Sequence, residues 1–247
     1  MELLRLCFVQ TKVTIGSFQH IIPILFAIGF TIFLVKYSKK HFNEQQKQKA
    51  IHYLGWVVSA TLIGFHLSRI LFSNYNFKTD LPLYLCSLMA LLIPFFTHYR
   101  KYWMFEILVF WIIGGTLQAV ITPDITHGFP SFDYFRYWVV HLGLLSIIFY
   151  FVFELKMKPT LRSVFKSFLA LQVYVVLMMV LNYLLNANYF YLNEKPKSAS
   201  LLDYFGEWPY YILVGQLIII PLFLLIYLPF FLFGKKENLL QIVYKVQ

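Results

Sequence analysis

Several stretches of this chain run for about 20 residues with few or no charged side chains, and no other feature restricts its possible folds as much. At about 1.5 Å of rise per residue, such a run crosses a hydrocarbon core of roughly 30 Å as a helix. No water reaches that region, so the backbone must satisfy its own polar groups within a helix or around a closed barrel. The runs are apolar on all sides and do not alternate, which selects helices and excludes a β-barrel. With 60% hydrophobic and 13% charged residues, the 247-residue chain is an integral membrane protein and not one or two soluble domains.

Seven spanning helices are expected, near residues 17–36, 51–73, 82–97, 101–121, 133–155, 161–185 and 208–233, in one all-α domain covering residues 1–247. The third is short and carries Pro82 and Pro94, and the seventh carries Pro209, Pro221 and Pro229, so kinks are expected in both. The first reads as a retained anchor, because a lysine cluster follows it and no small-residue cleavage site does. The net charge of +10 is spread over short connections, which argues for topology and against nucleic acid as a partner. Fourteen lysines and arginines fall on one side and five on the other, placing the amino terminus outside and the carboxyl terminus in the cytoplasm. Arg69 and Arg136 alone lie within helices. Cys7 and Cys86 are too few for a disulfide framework, and a bridge between the two stays open.

That topology gives each intramembrane polar residue a depth, and most fall in the outer half. Cys86 lies about 7 Å below the start of the third helix and His141 about 12 Å into the fifth. His66, Arg69, Gln118, Asp124, Arg136, Asn182 and Asn186 gather at the same end. Asp133, Tyr137 and His141 follow one another at i, i+4 and form one stripe, and Ser59, His66 and Ser73 recur at a seven-residue spacing. A polar cavity in the outer half is expected, with Gly114 and Gly115 letting the fourth helix approach a neighbour.

A thiol in apolar surroundings needs a base within reach before it can attack a carbonyl, and His141 sits at a comparable depth. Attack by Cys86 on an ester would give a thioester, which an alcohol acceptor resolves with His141 as general base. Arg69 and Arg136 could hold a lipid phosphate, and an Asn or Gln side chain the oxyanion. Each residue also has a structural reading. Cys86 fits as a small packing residue, His66 as a hydrogen-bonded structural group, and the arginines as partners of Asp80, Asp124 or Asp133. Tyr189, Tyr191, Trp208, Tyr210 and Tyr211 read as an interfacial belt. Ser163 and Lys166 fit a Ser-x-x-Lys pattern, but at the cytoplasmic end of the sixth helix. No zinc-protease, Gly-x-Ser-x-Gly or Asp-His-His-Cys motif is present, and no metal or cofactor is expected.

The blocks LPLYLCSL (81–88), GGTLQAVITPD (114–124), FRYWVVHLG (135–143) and NYFYLNEKPKSASLLDYFGEWPYYI (188–212) resemble the bacterial YwaF family of integral membrane proteins. That family is similar to eukaryotic transmembrane protein 164, a cysteine-dependent acyltransferase making polyunsaturated ether phospholipids. The resemblance implies a place in the bacterial cytoplasmic membrane, with Cys86 and His141 at the positions of the cysteine and histidine. It implies membrane lipids as partners, a phospholipid acyl donor and a lysolipid or alcohol acceptor; an outward-facing site has no acyl-CoA supply. Ether lipids and arachidonoyl chains are not expected in most bacteria. The alternative function is a non-catalytic transporter or flippase, in which the arginines matter and Cys86 only packs.

Overall fold

The computed structural model describes residues 12–196 and 201–246, with side chains described at 12–196 and 202–232. Cys7, Arg5 and Lys197, and the side chains of Lys235, Lys236 and Lys245, lie outside the described residues. The elements in order are α1 (Phe18–His41), α2 (Glu44–Phe72), α3 (Leu85–Tyr99), α4 (Tyr102–Trp111), a π-helical turn (Ile112–Thr116), α5 (Leu117–Ile121), α6 (Phe132–Phe153), α7 (Leu161–Leu185) and α8 (Tyr210–Val246). Two 3-10 turns, Tyr189–Tyr191 and Leu201–Phe205, lie between α7 and α8. No strand occurs among the described residues.

Among the described residues, six helical runs are long and apolar enough to cross a membrane: α1, α2, the joined Tyr102–Ile121 run, α6, α7 and Tyr210–Leu232 of α8. The expected third span is different. α3 has 15 residues, about 22 Å of helix against a core of roughly 30 Å. Pro82 keeps the preceding residues in turns, where Leu83 N–H donates to the Leu81 carbonyl at 2.7 Å. Arg100, in the left-handed region at φ 50°, stops the helix at its other end. The expected fourth span is also interrupted, because α4 widens into the π-helical turn at Ile112–Thr116 before α5 completes it.

α2 begins at Glu44 and not near residue 51 because Asn43 and Gln46 form a capping box, each side chain accepting the other's backbone N–H at 2.9 Å. Thr160 and Ser163 form the equivalent box at the start of α7. The Ser-x-x-Lys pattern is thereby explained: Ser163 Oγ donates to Glu106 at 2.8 Å and Lys166 Nζ to the same carboxylate at 2.7 Å. Lys47 pairs with the buried Glu154 at 2.9 Å, so both buried carboxylates at this end of the bundle have a lysine.

α6 is the centre of the bundle: 67% of its spanning window is buried, against 6% for α1 and 11% for α8. Small residues set the approach of α2 to both α6 and α3. A Cβ on Gly143 would lie 2.5 Å from Val58 Cγ2, and one on Gly55 would lie 2.7 Å from Thr97 Oγ1 on α3. α1 and α8 present their apolar faces outward, as lipid-facing helices do.

Candidate functional site

The entry to α3 is held by tyrosines from elsewhere in the chain. Tyr174 Oη on α7 donates to the Leu83 carbonyl at 2.6 Å. Tyr189 Oη accepts from Leu81 N–H at 3.0 Å and donates to the Phe77 carbonyl at 2.7 Å. Tyr189 is itself clamped by Asn182, whose Oδ1 accepts its N–H at 2.7 Å and whose Nδ2 donates to its carbonyl at 2.9 Å. The next two residues, Phe190 and Tyr191, have φ of 59° and 55°, a region bulky side chains rarely occupy. Tyr211 Oη donates to the Tyr191 carbonyl at 2.7 Å and braces that conformation. The expected aromatic belt is therefore corrected in part: Tyr189 and Tyr211 are fully buried supports, while Trp208 and Tyr210 are exposed.

These contacts place Cys86 in the first turn of α3, partly buried and free. Its Sγ lies 3.7 Å from Oγ1 of Thr116, the last residue of the π-helical turn. A Cβ on the neighbouring Gly115 would meet Leu85 Cδ2 at 3.4 Å, an ordinary van der Waals contact between the turn and α3. The π-helical turn touches both α3 and α6, and lies between the helices that carry the cysteine and the histidine.

His141 is 7% exposed on α6. Its Nδ1 lies 2.7 Å from the Tyr137 carbonyl. A carbonyl can only accept, so Nδ1 is the donor, and in the neutral form of the ring the lone pair is on Nε2. The Tyr137 ring stacks against the imidazole at 4.2 Å between centroids, and Tyr137 Oη donates to the Ala119 carbonyl at 2.8 Å. No hydrogen bond joins Cys86 to His141; the polar partner of Sγ is Thr116.

The charged residues form a second group beside this one. Arg69 donates to Asp80 at 3.1 Å, and Arg136 forms an ion pair with Asp133 while its guanidinium lies 4.5 Å from the centroid of the Phe65 ring. Arg136 Nε is buried with no hydrogen-bond partner. His66 lies beside them, 3.4 Å from Tyr75 Oη, which donates to the Asp80 carbonyl at 2.8 Å. Burial works against the charge on Asp80, but the Asn76 N–H, the Thr79 hydroxyl and Arg69 outweigh it and hold its carboxyl below the ordinary range.

The other expected residues are placed differently. Asn182 spends its amide on Tyr189, and Asn186 closes α7 in the left-handed conformation at φ 50°. Asp124 pairs with Lys12 at 3.4 Å, and Gln118 is exposed on α5. His20, which the sequence does not single out, is buried and stacked on Trp138; it accepts from Gly16 N–H at 2.9 Å and donates to the Val120 carbonyl at 2.8 Å. Thr116 was equally hidden: only the glycine pair before it hinted that the helix departs from regular geometry there.

No curated protein and no solved structure matches the chain at a significant level. A family model does match, over residues 15–227, a stretch that contains Cys86, Thr116, Tyr137, His141 and both arginines. The chain belongs to the TMEM164 family.

Proposed function

We propose that this protein is a lipid acyltransferase or transacylase that works on the outer leaflet of a bacterial cytoplasmic membrane, with Cys86 as nucleophile and His141 as base. The observation that carries this reading is the 2.7 Å contact between His141 Nδ1 and the Tyr137 carbonyl. The Nδ1 proton is committed to the Tyr137 carbonyl, so Nε2 is the free proton acceptor of a buried histidine. Cys86 is bound to a π-helical turn that also touches the histidine's own helix.

In the reaction, Sγ leaves Thr116, passes its proton to His141 Nε2 and attacks the ester carbonyl of a phospholipid. The lysolipid oxygen departs with that proton, leaving a thioester on Cys86. The hydroxyl of a lysolipid or other alcohol then gives its proton to Nε2 and attacks the thioester; the thiolate leaves and is reprotonated. Arg69 and Arg136, with His66 between them, are the group to meet a lipid phosphate. Each arginine is already neutralised by an aspartate, so the phosphate adds to an ion pair and does not meet a bare cation. Tyr137 orients the imidazole, and Asn182 and Asn186 act through the backbone they hold.

The same proposal takes α3 as a seventh crossing, with the amino terminus outside and the carboxyl terminus in the cytoplasm. The end that carries Lys39, Lys40, Arg100, Lys101, Lys156 and Lys158 would then face inward. Protein reconstituted with an acyl-labelled phospholipid and a lysolipid acceptor should move the label, and a thioester on Cys86 should accumulate when the acceptor is withheld. Cys86→Ala and His141→Ala should each abolish transfer. Unchanged transfer in both variants would overturn the assignment, and lipid movement across the vesicle that persists in Cys86→Ala would favour a transporter.

A further inference from the structure

A cavity of about 720 Å³ lies between α1, α2 and α6, away from the residues of the proposed reaction. On α6 it is lined by Trp138, Val139, Leu142 and Gly143, and His141 is not among the residues that line it. On α1 its wall is the face bearing Ile22, Phe26 and Phe30.

Polar contacts tether α1 across this space near its start and midway along it. Towards one end, Gln19 accepts from Phe129 N–H through Oε1 at 3.1 Å and from Tyr134 Oη through its carbonyl at 2.9 Å. Further along, Thr31 Oγ1 lies 2.8 Å from Ser146 Oγ. These bonds engage Gln19 Oε1, Tyr134 Oη and Ser146 Oγ; Trp138 Nε1 is buried without a hydrogen-bond partner, and the remaining lining is mostly hydrocarbon and aromatic carbon.

From this we infer that the groove between α1, α2 and α6 is a binding site for one acyl chain of a membrane phospholipid, separate from the Cys86 site. All three walls belong to membrane-spanning helices, where acyl chains are the surrounding medium. The dimensions argue against a whole helix from a second copy seated inside the groove. A helix is about 10 Å across, so about 720 Å³ would hold about 9 Å of it, roughly six residues. A single flexible hydrocarbon chain has neither that width nor any polar group to satisfy.

The test uses the full chain in vesicles containing a phosphatidylcholine with a photoactivatable diazirine in one acyl chain. Adducts mapped by mass spectrometry should concentrate on Phe26, Val57 and Val139, and exceed those on Ile21, Ile28 and Ile32, the outward face of α1, by about tenfold. Ala27→Trp, which fills the groove, should remove most groove adducts and leave those on Ile28 unchanged. Val57→Trp gives the same test from α2 should the first variant not fold. Adducts spread evenly around α1, groove adducts that survive both substitutions, or crosslinks mainly between two copies of the chain would each overturn the site.

Discussion

Replacing Asn182 by leucine tests how the structure carries a remote residue's effect to Cys86. Asn182 is 2% exposed and makes two hydrogen bonds to the Tyr189 backbone. Leucine keeps the volume but leaves a buried N–H and a buried C=O unpaired, at about 1 to 3 kcal/mol each. Burial of the new side chain offsets about 1 to 2 kcal/mol, so a loss of about 3 kcal/mol is expected. At about 2 to 4 °C per kcal/mol for a chain of this size, the midpoint of thermal unfolding should fall by about 6 to 12 °C in detergent. Tyr189 also holds Leu81 and Phe77, so the entry to α3 loosens and acyl transfer should fall with it. Tyr189→Phe, which removes only the hydroxyl, should copy the loss of transfer, and the double variant should be less than additive. A leucine variant whose unfolding midpoint stays within about 2 °C of wild type while transfer is lost would refute the reasoning, since Asn182 would then touch the lipid.

Other consequences can be checked in the same preparations. Gly143→Ala puts a carbon 2.5 Å from Val58 Cγ2 and should cost about 1 to 3 kcal/mol in unfolding experiments; Val58→Ala should restore most of it. Thr116→Val removes the partner of Cys86 Sγ with little change in shape, and should alter the rate of thioester formation more than the unfolding midpoint. Asp80, its carboxyl held below the ordinary range, should contribute stability in full above its unfolded value and lose it as pH falls through the folded one. Between about pH 5 and about pH 3 the wild type should therefore lose more stability than Asp80→Asn, and equal slopes would refute this.

Much of the arrangement was legible from spacing. Tyr137 and His141, four residues apart, do share one face, and both arginines do meet aspartates from the expected set. Asn43 and Gln46 carried the true start of α2 in plain view, as a capping box ahead of a polar turn that hydropathy alone passes over. Asn182 was expected among the substrate-binding residues, and in the structure its amide satisfies the Tyr189 backbone seven residues away.

By itself, the sequence determined the class: apolar runs of membrane length can only be helices, because lipid offers the backbone no other partner. It also determined which polar residues share a helical face, since that follows from a local repeat. The tertiary structure decided how each buried polar group is satisfied. Leu81 and Tyr189 are 108 residues apart, Phe77 and Tyr189 112, and Cys86 and Thr116 30. Those partners are chosen by packing across the bundle, which no local periodicity encodes. Where a helix widens into a π-helical turn, as at Ile112–Thr116, is likewise not written in the local hydropathy pattern.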